Sequence, residues 1–162
     1  MIKYTVLPIV VLCSACVAGH ANVRVADQRI APPAIQVAQA PSKPIFYGSS
    51  QGDIPFSEAV KVGNTLYLSG QIGIVDGKLA TGGTAGETKQ TLKNIFATLQ
   101  RYGYQPRDIV KCTAMLKDMR DFDAFNREYR AMFSPSYPAR SAFGVSDLAM
   151  DANVEIECIA AR

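Results

Sequence analysis

The chain has 162 residues, long enough for one domain with a substantial core and short for two. Its formal net charge is +3, it holds a single histidine, His20, and from Phe46 onward the basic and acidic residues balance at 13 each. A neutral body without a basic, aromatic-interleaved face argues against nucleic acid as a partner, and beyond His20 no Ser-His or Cys-His nucleophilic pair can be built.

Met1-Ile2-Lys3 gives a short basic start, Val6 to Val17 is an apolar run containing Pro8, and Gly19-His20-Ala21 ends in small residues. That run is shorter than the roughly 20 apolar residues a spanning helix needs. Residues 1–21 therefore read as a signal peptide, which predicts export to the periplasm. A second reading comes from Leu12-Cys13-Ser14-Ala15-Cys16, which loosely resembles a lipobox. It would place a lipid on Cys16 and anchor the protein to the bacterial envelope, the one route by which a membrane enters the reading. Without residues 1–21 no histidine is left, and a zinc site would depend on Cys112, Cys158 and carboxylates with no close ligand spacing, so no metal is expected. Neither Gly-x-x-x-x-Gly-Lys nor Gly-x-Gly-x-x-Gly occurs, and no cofactor is expected. Residues 22–44 carry Pro32, Pro33, Pro41 and Pro44 without a sustained period and read as a flexible linker; residues 45–162 read as the domain.

Glu58 to Val62 and Thr65 to Gly70 flank Gly63-Asn64 and predict a hairpin. Asp76-Gly77 marks a turn before a first helix, in which Leu92, Ile95, Phe96, Leu99 and Tyr102 share one face and Gly103 stands at the stop. Val110, Cys112, Ala114 and Leu116 alternate with Lys111, Thr113, Met115 and Lys117 as a strand does. A second helix starts near Asp121, with Phe122, Phe125, Tyr129, Met132 and Phe133 on one side and Pro135 ending it. Strands over Ala139 to Val145 and Asn153 to Ala160 close the chain. The order predicts an α+β fold: a single mixed sheet with two helices on one face. The opposite face, apolar in places, then needs a cover, and a homo-oligomer is the economical one. Cys112 and Cys158 sit among apolar residues and read first as buried thiols, with a disulfide as the other reading.

Arg140 follows Pro138 and Ala139, so the backbone before it is stiff, and its planar fork of donors suits a carboxylate. The competing reading is an ion pair with Glu155 or Glu157. On the last strand Val154, Ile156, Cys158 and Ala160 share one face, while Glu155, Glu157 and Ile159 share the other. If residues 146–152 form a simple hairpin loop, Arg140 opposes Glu157 and Ala142 opposes Glu155, and the pattern does not choose between the carboxylates. Asn126, beside the second helix's apolar stripe, reads on pattern as a helix amide.

Taken in order, Pro55-Phe56-Ser57-Glu58-Ala59-Val60, Gly63-Asn64-x-Leu66-Tyr67-Leu68-Ser69-Gly70-Gln71-Ile72, the helix containing Asn94, Asp108 to Thr113, Asp118-Met119-x-Asp121-Phe122-x-x-Phe125-Asn126-x-x-Tyr129, Pro138-Ala139-Arg140-Ser141 and Val154-Glu155-Ile156-Glu157 resemble the Rid (YjgF) family over residues 54–161. The resemblance implies a chorismate-mutase-like fold, a homotrimer with ligand clefts between subunits, and cofactor-independent hydrolysis of short 2-imino acids to 2-oxo acids and ammonia. It implies that Arg140 binds the substrate carboxylate, that Glu155 handles the water, and that Phe56, Ser69, Gly70, Asn126 and Ala142 line the cleft. Phe56 stands where many members have Tyr and Ala142 where some have Cys, which bears on substrate choice. The rival class is a non-enzymatic trimer of the cell envelope, binding small 2-oxo acids or acting as a chaperone; it would keep Arg140 and have no need of Glu155.

Overall fold

The computed structural model describes residues 42–48, 55–133 and 136–162. The expected signal peptide, Cys16 and the linker through residue 41 lie outside the described residues, as does Pro135. The chain builds β1 (Ile45–Tyr47), β2 (Ala59–Val62), β3 (Thr65–Leu68), β4 (Gln71–Ile72), β5 (Ile74–Val75), β6 (Lys78–Leu79), α1 (Gly83–Arg101), β7 (Ile109–Leu116), α2 (Phe122–Met132), β8 (Ala139–Gly144) and β9 (Val154–Ala161). The small pieces β1, β4, β5 and β6 escape a sequence reading because two or three residues show no period.

The expected hairpin forms: β2 and β3 pair antiparallel across Gly63, whose φ of 59° suits a residue without a Cβ. The sheet runs β1-β2-β3-β9-β7-β8, with β4 also paired to β9, while β5 and β6 form a separate two-stranded ribbon. All pairings are antiparallel except β7 with β8. The sheet is therefore mixed. Its parallel pair follows from α2, which is a crossover between β7 and β8 and returns the chain in the same direction.

This topology corrects the hairpin register expected for the last two strands. β7 lies between β8 and β9, so Arg140 is level with Cys112 and Ala142 with Ala114, and neither faces a glutamate. Strand β9 is paired to β7 instead, with Glu155 opposite Met115 and Glu157 opposite Thr113.

One core lies between the sheet and the two helices. Leu92, Ile95 and Leu99 from α1 and Phe125 and Tyr129 from α2 pack on Leu66, Leu68, Cys112, Ala114, Leu116, Val154, Ile156, Cys158 and Ala160. These strand positions alternate as predicted, except at Val110. There β7 holds one residue more than β9, because Ile109 pairs with Ala160 and Lys111 with Ile159. That bulge turns Ile109 into the core and leaves Val110 exposed. Helix α1 ends where Gly103 takes φ 80°, the left-handed stop expected of it. Near that end, Thr98, Arg101 and Tyr102 all donate to the Glu58 carboxylate. Burial opposes the charge, but these hydrogen bonds prevail and hold the Glu58 carboxyl below its ordinary range. Among the described residues no helix covers the other face of the sheet, which carries the exposed Tyr67 and Phe143 together with Ile159 and Met115.

Cys112 and Cys158 are cross-strand partners in the core and are joined by a disulfide, not held as two thiols. Register decides this: residues directly opposite in an antiparallel pair bring their Cβ atoms within bonding reach. The bond spans 46 residues of sequence, a separation that in chain-entropy terms corresponds to about 4 kcal/mol. Replacing both cysteines by alanine is expected to lower stability by roughly 2–4 kcal/mol in denaturant melts. Both sulfurs are buried, so reductant should not reach the bond in the native protein, and labelling of Cys112 and Cys158 should require unfolding together with reduction. Labelling of Cys112 and Cys158, located by peptide mapping, in freshly isolated denatured protein without reductant would show that the bond is absent.

Candidate functional site

Arg140 stands on β8 at the edge of the sheet. Because it is level with Cys112, it leaves the face that carries the helices, and α2 supplies its seat. The guanidinium carbon lies 4.7 Å from the ring centre of Tyr129, 5.0 Å from that of Phe125 and 5.7 Å from that of Phe122. One Nη2–H donates to Asn126 Oδ1 at 2.8 Å. Three ring faces and one amide fix the plane of the fork. Among the described residues no carboxylate pairs with Arg140, which sets aside the ion pair with Glu155 or Glu157. The cation opens on a cleft of about 290 Å³ lined by Asn126, Tyr129, Arg130, Tyr137, Pro138 and Arg140. Tyr129 is buried, and burial, against the opposing pull of the Arg140 charge, pushes its hydroxyl up to about 12. It stays neutral at physiological pH and serves the cation as a ring.

Glu155 lies on β9, half-buried, between Ile72 of β4 and Met115 of β7. It leaves the face without helices. Strands β3 and β4 pair with the same edge of β9, but between Tyr67–Ile159 and Gln71–Ile156 their side advances four residues and β9 only three. The extra residue makes a bulge at Ser69-Gly70, the kind of break that re-aims side chains beside a site. Ser69 is held there: its N–H donates to Glu58 O at 3.1 Å and its Oγ–H to Ser57 O at 2.6 Å. Phe56, the residue before Ser57, is exposed. Gly70 is where the Glu155 carboxylate passes the backbone, and a methyl group on Gly70 would overlap Glu155 Oε1.

The residues singled out from sequence thus form two groups. Arg140, Asn126 and Ala142 lie on the helix side, whereas Ser69, Gly70 and Glu155 lie on the other, so within one chain the cation and the carboxylate leave opposite faces of the sheet.

The family described as "Endoribonuclease L-PSP" matches residues 50–162. The chain belongs to the Rid (YjgF) family. Among its relatives, a mouse protein named 2-iminobutanoate/2-iminopropanoate deaminase is 43% identical over 110 residues, covering 67% of this chain and 82% of that protein. The solved structure of RidA from the Antarctic bacterium Psychrobacter sp. PAMC 21119 superposes with a TM-score of 0.65 at 37% identity, covering 69% of this chain and 92% of that one. That of Escherichia coli TdcF with bound serine gives a TM-score of 0.64 at 31% identity, covering 67% and 89%. The mixed sheet with its two helices is thus the fold of solved Rid proteins.

Sequence reasoning about this Rid chain overlooked three contributions. Phe122, Phe125 and Tyr129 read as a core stripe because a cation seat and a core face share the same helical spacing. The bulge at Ser69-Gly70 has only Ser-Gly as its signal, a pair common in turns. Glu87, buried on α1, carries no signal in the helix's apolar spacing.

Gly70 supports a clean prediction. Its φ is not positive, and the atom a Cβ would strike is the far end of a flexible side chain, so Gly70→Ala should fold normally while displacing the Glu155 carboxylate. The expected result is a melting temperature within a few degrees of wild type with activity reduced by roughly 10- to 100-fold, the scale of an ångström-level misplacement. Wild-type turnover in Gly70→Ala would show that the contact has no catalytic consequence.

Proposed function

We propose that this protein hydrolyses short reactive 2-imino acids, such as 2-iminopropanoate and 2-iminobutanoate, to the 2-oxo acids and ammonia. The observation that carries the reading is Arg140: a guanidinium seated on three rings, oriented by Asn126, and left without a carboxylate among the described residues. A cation held so, opening on a small cleft, suits an anionic ligand with a planar two-oxygen end. The mouse relative's name and the serine bound to TdcF, an amino acid with such a carboxylate, agree with it.

In this reading Arg140 grips the substrate carboxylate and Glu155 takes a proton from a water that adds to the imine carbon. The same carboxyl returns that proton to nitrogen, giving the carbinolamine, and then moves the proton of the new hydroxyl to the amine, which leaves as ammonia as the carbon–oxygen double bond forms. Water is the only co-reactant this balance needs. Because the two groups leave opposite faces of one sheet, the site is completed between copies: Arg140 of one subunit meets Glu155 of its neighbour in a chorismate-mutase-like homotrimer that covers the apolar open face. Export to the periplasm, or lipid anchoring through Cys16, accords with the buried disulfide, which belongs to an oxidising compartment.

The test is a coupled assay in which an amino acid oxidase generates 2-iminopropanoate and its decay is followed with and without the purified protein, with light scattering on the same sample. Accelerated decay by a trimer supports the proposal. A trimer that binds a 2-oxo acid without accelerating decay would make it a binding protein.

A further inference from the structure

We infer that Glu87 is a positioning residue for Glu155, acting through Asn153; the inference rests on the proposed role of Glu155 in handling water. Glu87 lies on α1 and is 3% exposed, and among the described residues it has no cationic partner. Burying a carboxylate away from a cation is costly, and a helix needing only to pack would place an apolar residue there. The carboxylate is instead spent on one residue: Asn153 N–H donates to Oε2 at 2.7 Å and Asn153 Nδ2–H to Oε1 at 2.5 Å. The carbonyl of Asn153 accepts from Lys117 N–H at 3.0 Å. Asn153 is thereby tied through backbone donor, backbone acceptor and side chain, one residue before β9 begins and two before Glu155.

The segment leading into that clamp is strained. Met150 and Asp151 both take positive φ, 58° and 63°, which costs a side-chain-bearing residue about 1–2 kcal/mol. Such backbone persists only where its surroundings over-determine it. Here Lys117 pairs with Asp151 and lies 3.7 Å from Asp147, and Glu87 holds the residue that follows the turn.

The same helix fixes the strand on the other side of Glu155. Gly73 packs so closely on α1 that a Cβ there would stand 2.7 Å from Glu87 Cα. Two turns along, Asn94 Nδ2 donates to Ile72 O at 3.1 Å and Ile74 O at 3.0 Å, pinning β4, whose Ile72 is the register partner of Glu155. Helix α1 therefore holds β9 by Glu87 and β4 by Asn94, and together they set the height of the Glu155 carboxylate against Gly70.

Polarity makes the clamp testable by exchange. Asn153→Asp sets carboxylate against carboxylate and should lower kcat at least ~10-fold, toward the 10²-fold of an ångström-scale misplacement, with KM little changed because Arg140 lies elsewhere. Adding Glu87→Gln to that chain lets the amide donate to Asp and accept from the backbone N–H of residue 153, and should restore kcat to within about threefold. Binding of pyruvate by calorimetry, through Arg140, controls for folding in each variant; should Asn153→Asp fail to fold, Asn153→Ala, which deletes only the side-chain bond, reads the same kcat loss. Wild-type kcat in folded Asn153→Asp or Asn153→Ala, or a double variant no better than Asn153→Asp, would overturn the inference. Glu155→Gln is measured alongside: if it hydrolyses normally, the inference falls together with the catalytic reading, whereas loss in Glu155→Gln without loss at position 153 overturns the clamp alone.

Discussion

Arg140→Ala is expected to lower kcat/KM for 2-iminopropanoate by roughly 10²–10⁴-fold, because two charge-assisted hydrogen bonds of about 1.5–3 kcal/mol each are lost. The protein should still fold. Arg140 stands on an edge strand and contributes to no ion pair among the described residues, so its loss costs stability little. Arg140→Lys keeps the charge and should recover part of the loss, mainly as a raised KM, since an ammonium cannot offer a planar fork or lie flat over Tyr129 and Phe125. Asn126→Ala should fall between wild type and Arg140→Lys: it removes the single acceptor that orients the fork and leaves the rings in place. Steady-state kinetics on the three variants, with melting curves as control, check the order. Equal kcat/KM in wild type and Arg140→Ala would remove the carboxylate-anchor role.

Local period made most of the fold legible. The alternation of Val154, Ile156, Cys158 and Ala160 and the helical stripes of α1 and α2 are core faces, and each is visible because burial imposes its spacing on the sequence. What escaped is what spacing does not encode. A short connection before β9 looks like a hairpin, yet β8 pairs with β7, because a crossover helix returns the chain parallel and a nonlocal contact decides the strand order. Val110 carried the right period and the wrong environment, since a single extra residue in β7 shifts the alternation. The cysteines illustrate the same limit: their spacing signals burial equally well for thiols and for a bond, and only the register that sets them opposite one another distinguishes the two. At the candidate site the residue types were readable, whereas the separation of Arg140 from Glu155 by the thickness of the sheet was not, since it depends on which strand lies between them.

Glu155→Gln is expected to bind a 2-oxo acid normally and to lose roughly 10²–10⁴-fold in hydrolysis, the range of a positioned acid-base group, less whatever the intrinsic reactivity of a free imine supplies. Glu157→Gln should change little. Both side chains leave the same face of β9, about 7 Å apart along the strand, so charge alone does not distinguish them. Their surroundings do. Glu157 is exposed opposite Thr113; Glu155 is half-buried between β4 and β7, and its carboxylate lies against Gly70, where any larger residue would displace it. Half-burial limits competing solvent around the Glu155 carboxylate. An amide there preserves size and polarity while deleting the base, so retained binding with lost turnover isolates proton transfer. Pyruvate calorimetry beside imine decay rates for both variants decides among three outcomes. Loss confined to Glu155→Gln supports the assignment; loss confined to Glu157→Gln moves the water-handling group two residues along the strand; normal turnover in both leaves a cleft that grips carboxylates through Arg140 without accelerating hydrolysis.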